Sequence, residues 1–138
     1  MFLLAINKYY KKDSIFVDGT KASDAGILNK LFDYEPKYLL IDEIEKMNRP
    51  ARNVLLNLLE TGIVTSTLKN DTRSMRLDPW MFATCNDIEK LRRIEPSFLS
   101  RLQCLKVDAR EQFKTITVQR LKQEKIETEL AQYIAENL

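Results

Sequence analysis

Residues 37–47 read Lys37-Tyr38-Leu39-Leu40-Ile41-Asp42-Glu43-Ile44-Glu45-Lys46-Met47. A strand with one wet face alternates apolar and polar residues, and residues 37–41 do not. They read as a parallel strand covered on both faces, hence as part of an α/β fold. Two carboxylates follow the apolar run directly. In an open α/β sheet the carboxyl ends of the strands face the ligand crevice, so Asp42 and Glu43 stand where a charge can act on a ligand. Taken alone, the pair reads more readily as a helix cap or a solvated acidic surface.

Downstream, Asn48 can cap a helix, Pro50 suits its first turn, and Ala51, Val54, Leu55, Leu58 and Leu59 form one apolar stripe that Gly62 closes. Ile63–Leu68 and Arg73–Leu77 flank a polar turn at residues 69–72, predicting a β-hairpin with a slightly long loop. Trp80–Cys85 and Leu102–Val107 read as two further buried strands. Asp108 and Glu111 form a capping box for a helix to about Lys125, and Leu130, Ile134 and Leu138 mark a last amphipathic helix. Upstream, Ser14–Asp18 is a short strand closed by Gly19, and a helix is expected from Asp24 to Phe32. Residues 1–10 carry Phe2, Leu3, Ile6 and Tyr10 at helical spacing with no cap ahead of them, as the end of a helix does.

The chain has 138 residues, 44% of them hydrophobic and 30% charged, which suits a soluble globular domain rather than a disordered chain. A net charge of +2 neither demands nor excludes nucleic acid. Cys85 and Cys104 lack the spacing of a zinc site and read as buried free thiols of a cytoplasmic protein. No apolar run approaches the ~20 residues of a membrane helix, and the first residues lack the basic stretch of a signal peptide.

The segment from Tyr38 to Met47 resembles the Walker B motif of AAA+ ATPases. By that resemblance Asp42 would orient the Mg²⁺ of a bound nucleotide through water, and Glu43 would polarise the attacking water, the two services phosphoryl transfer asks of a protein. Trp80-Met81-Phe82-Ala83-Thr84-Cys85-Asn86 resembles the sensor 1 strand, with Asn86 as the polar residue reaching toward Glu43's water and the γ-phosphate. Asn86 alone also fits a turn. Pro96-Ser97-Phe98-Leu99-Ser100-Arg101-Leu102 resembles the segment bearing the arginine finger, which would make Arg101 project toward nucleotide held by a neighbouring subunit. An exposed arginine at a strand entrance is the commonplace alternative. The hairpin insertion is similar to that of RuvB-type branch-migration motors and of MoxR-type ATPases. Arg73 and Arg76 could serve a substrate or partner surface there, or, with Lys69, guard an edge strand against aggregation.

A phosphate loop needs glycines five residues apart followed by Lys and Ser or Thr. The three glycines, Gly19, Gly26 and Gly62, offer no such pattern. The resemblance therefore implies part of an AAA+ core, beginning after the phosphate loop and ending before sensor 2. Residues 1–110 would be the partial nucleotide-binding core and 111–138 the closing helix and start of the lid. In this family the missing strand lies centrally, so strand 102–107 is expected to pair directly with 80–85, or another chain to cover that edge. ATP and Mg²⁺ are implied for the parent protein, with negligible binding by this chain alone. A homohexameric ring, DNA as substrate and no membrane partner are implied with them. The alternatives are a MoxR-like protein remodeller and a non-catalytic module on the same scaffold.

Overall fold

The computed structural model describes residues 2–68 and 71–106. Residues 2–103 fall in one compact unit, and a second begins at Cys104. Along the chain come α1 (Phe2–Tyr9), β1 (Ser14–Asp18), α2 (Asp24–Tyr34), β2 (Tyr38–Asp42) and a 3₁₀ turn (Ile44–Lys46). Then follow α3 (Arg49–Thr61), β3 (Ile63–Leu68), β4 (Asp71–Arg76), β5 (Trp80–Ala83), α4 (Ile88–Ile94) and α5 (Pro96–Arg101).

Two sheets form. β1, β2 and β5 make a parallel sheet in that order, with β2 central, and β3 and β4 make a separate antiparallel hairpin. The unbroken apolar run is explained by that central position: Leu39, Leu40 and Ile41 are fully buried. β1 alternates, burying Ile15 and Val17, as an outer strand covered mainly on one face should. Leu39 and Ile41 join Ile27, Leu31, Ala51, Leu55, Leu58 and Phe98 in the core.

Both long helices are capped as their sequences require. Ser23 Oγ accepts from Gly26 N and starts α2, while Asn48 Oδ1 accepts from Ala51 N and starts α3. Gly62, at φ 67°, ends α3 in the left-handed region, where a Cβ would be strained. The apolar stripe of α3 faces the core, so expectation and structure agree there.

Several expectations need correction. β4 starts at Asp71, because Leu68 pairs with Asp71 and Thr67 with Thr72, so the ladder runs on through residues assigned to the turn. β5 stops at Ala83 and is not buried: Trp80 and Ala83 are exposed, as suits a strand that ends the described sheet. Leu102–Lys106 form no strand, and Val107 lies outside the described residues. The helices expected after Asp108, and the boundary at 110, also lie outside. Helices α4 and α5 went unread in the sequence. Cys104 is exposed and Cys85 half-buried, so neither is a buried thiol. Among the described residues, no helix is long and apolar enough to cross a membrane.

Candidate functional site

The carboxyl end of β2 delivers Asp42 and Glu43 in different ways. Asp42 is the last strand residue, in register with Asp18 of β1. Glu43 leaves the strand with φ 55° and ψ 54°, a left-handed conformation that costs a non-glycine residue about 1–3 kcal/mol. Backbone bonds across the sheet hold it there. Glu43 N donates to Thr84 Oγ1 at 3.0 Å, Ile44 N donates to Thr84 O at 3.0 Å, and Lys46 N donates to Glu43 O at 2.9 Å. Thr84 also donates its hydroxyl proton to Asp42 Oδ1. One threonine thus fixes both acidic residues.

Asn86 closes the group. Its Nδ2 donates to Glu43 Oε1 at 3.0 Å, although 43 residues separate the two in sequence. Lys46 Nζ lies 2.6 Å from the same oxygen, and this hydrogen bond raises the lysine's pKa above its ordinary value. Below them Glu45 is buried, and its Oε1 accepts from Asn86 N at 3.3 Å. Burial, and then the Glu45 carboxylate, push the neighbouring Cys85 thiol up to about 11. On the β1 side, Gly19 N donates to Asp42 O at 2.7 Å. A Cβ on Gly19 would stand 2.4 Å from Glu43 O and 2.6 Å from Asp42 O, so glycine is required by proximity. Asp18 turns to Thr20, whose side-chain hydroxyl and backbone N–H bonds hold its carboxyl below the usual carboxylate range.

Of the residues singled out in the sequence, Asp42, Glu43 and Asn86 come together. Arg101 does not join them. It ends α5, not a strand entrance, and its guanidinium bonds to Glu60 Oε1 at 2.8 Å, to Ser97 O and to Ser100 Oγ. Arg73 and Arg76 both lie on β4 and are exposed. Three positions apart on a strand, they point to opposite faces of the hairpin. Sequence reading missed Thr84, Lys46, Glu45 and Gly19. Thr84 was findable, because it shares a strand-spaced face with Asn86, whereas Gly19 depends on a cross-strand approach that one sequence does not display.

Asp42 offers a hard oxygen donor of the kind Mg²⁺ takes. No cluster of three or more potential metal ligands occurs among the described residues.

No family model and no curated protein matches the sequence. Among solved structures, a RuvB mutant of Thermotoga maritima is similar, with a TM-score of 0.66 and 17% identity over 97% of this chain and 43% of that one.

Proposed function

We infer that the chain is part of a RuvB-like AAA+ core: its mainly parallel sheet flanked by helices is similar in fold to the RuvB chain, of which it spans 43%. We propose that it carries the hydrolytic half of an ATPase centre. The observation that supports this most is the bond from Asn86 Nδ2 to Glu43 Oε1, which joins the ends of neighbouring strands into one polar cluster at the sheet's carboxyl edge. A solvated acidic pair or a turn asparagine has no need of that contact.

In this reading Asp42 is the residue that would hold Mg²⁺, and the ion would supply neutralisation of phosphate charge. Glu43 takes a proton from the attacking water. Asn86 orients that water and the Glu43 carboxylate together. Thr84 holds Asp42 through its hydroxyl, and Glu43, in its left-handed backbone conformation, places its carboxylate against Asn86 and Lys46. A glutamate whose oxygen already accepts from Asn86 and Lys46 is restrained to few rotamers, and such positioning is a large part of what catalysis requires. Arg101 would act on nucleotide in an adjoining subunit, exchanging Glu60 for phosphate oxygens. The substrate of the parent motor would be DNA, in an oligomeric ring, on the strength of the RuvB likeness.

The grip on the nucleotide would come from a Gly-x4-Gly-Lys-Ser/Thr loop, a pattern this sequence does not contain. The test joins such a strand–loop–helix segment ahead of Met1 and assays magnesium-dependent ATP hydrolysis. Asn86→Ala should lower turnover about 10²-fold or more while leaving ATP binding within a few-fold. Equal turnover in the two proteins would end the assignment of Asn86.

A further inference from the structure

The opposite end of the sheet presents a second feature, independent of the nucleotide reading. Segment 8–13 reads Lys8-Tyr9-Tyr10-Lys11-Lys12-Asp13, two adjacent tyrosines among three lysines. In the fold these rings continue into others. Tyr9 and Tyr10 meet edge to face with centroids 4.8 Å apart, and Tyr10 lies 4.4 Å from Tyr38 at the start of β2. Tyr38 is in register with Trp80 at the start of β5. Residues in register on parallel strands share a sheet face and stand about 4.8 Å apart. The result is a row of four aromatic side chains. Tyr9 is 83% exposed, Trp80 72% and Tyr10 38%.

The row is preorganised by backbone bonds. Asp13 O accepts from both Lys37 N and Tyr38 N, and Trp80 N donates to Lys37 O at 2.8 Å. Lys8, Lys11, Lys12 and Lys37 are exposed around it. Asp13 is engaged by Lys37 at 3.4 Å, which leaves the other three lysines to set the charge beside the tyrosines. Glu35 and Asp78, next to the starts of β2 and β5, reduce the field at that end.

We propose that this row is a stacking platform for single-stranded nucleic acid. Bases of any kind stack on exposed tyrosine and tryptophan faces, and lysines follow the phosphates; a sequence-tolerant single-strand site combines these two elements. A protein partner is the weaker fit, because lysine is depleted at the centres of protein interfaces whereas here Lys8, Lys11 and Lys12 flank the tyrosine pair. Tyr38 and Asp42 are four positions apart on β2, about 13 Å along the strand, so strand binding and the acidic cluster do not compete for space. The acidic neighbours make stacking the larger contribution and the salt dependence shallow.

Trp80 is the single tryptophan of the chain, so its emission reports the platform directly. Titration with an oligothymidylate should quench it saturably, and weaken moderately as salt is raised. Tyr9→Ala, a change at an exposed ring, should weaken binding about tenfold, as should Lys11→Ala with Lys12→Ala, each variant checked for unchanged circular dichroism. Absence of quenching and of binding by fluorescence anisotropy would overturn the proposal. So would binding that survives these variants but is lost with Arg73→Ala and Arg76→Ala, which would assign it to the hairpin. A Trp80 emission that changes with protein concentration alone, and not with oligonucleotide, would make the row a contact between copies and overturn it equally.

Discussion

Glu43 occupies a backbone conformation that glutamate ordinarily avoids, and three hydrogen bonds to or from residues 84 and 46 keep it there. The dipeptide Asp42-Glu43 was legible because it follows an apolar strand. Its geometry was not, since it depends on Gly19 approaching from β1 and Thr84 from β5, contacts between residues far apart in sequence. Gly19→Ala should therefore destabilise the fold by about 1–3 kcal/mol, read from urea denaturation, because the new methyl meets backbone oxygens that have nowhere to move. An unchanged midpoint would refute the close approach. The raised pKa of Lys46 comes first from Glu43, so Glu43→Gln should lower it in an NMR titration of the lysine. Cys85 gives a pH-dependent test. Its thiol is pushed up to about 11 from 9.0, so the folded state holds its proton more tightly, and its contribution to stability is complete below 9.0 and lost as pH rises toward 11. At neutral pH iodoacetamide should label exposed Cys104 well before Cys85, and Cys85 labelling should accelerate only as the solution becomes strongly alkaline.

Helix α3 shows how far periodicity carries at the level of elements. Its cap, its apolar stripe and its terminal glycine were all readable, because each is a local property. Helices α4 and α5 were not read. They have 7 and 6 residues and meet at Glu95, which is at once the C-cap of α4 and the N-cap of α5. Helices this short are marginal alone, and packing rather than propensity forms them. Part of that packing is a polar tie. Arg52 of α3 is buried, donates to Met47 O, and brings its Nε within 3.8 Å of Glu95 Oε2, an ionic proximity without a hydrogen bond from that nitrogen. The tie holds α3 to the α4–α5 corner, and the pair of Arg101 with Glu60 holds it again at the end of α5. Arg52→Leu should cost about 1.5–3 kcal/mol in urea denaturation, by stranding the Met47 carbonyl and the Glu95 carboxylate. Glu60→Gln, at an exposed pair, should cost little. A large loss from Glu60→Gln with none from Arg52→Leu would reverse this account of the corner.

At the scale of the molecule, the α/β class was visible in the alternation of elements, and the likeness to RuvB supports the same fold. The continuation beyond β5 was misread. Leu102, Cys104 and Leu105 look apolar enough for a strand, yet Cys104, Leu105 and Lys106 are exposed and residues 102–106 form none. The two ends of the sheet carry different chemistry: carboxylates and an amide at the carboxyl end, aromatic rings and lysines at the amino end. The central claim rests on the carboxyl end. With a Gly-x4-Gly-Lys-Ser/Thr segment joined ahead of Met1, ATP hydrolysis should require magnesium, and Glu43→Gln should abolish turnover while ATP still binds. Turnover that persists in Glu43→Gln at the unsubstituted rate would contradict the account.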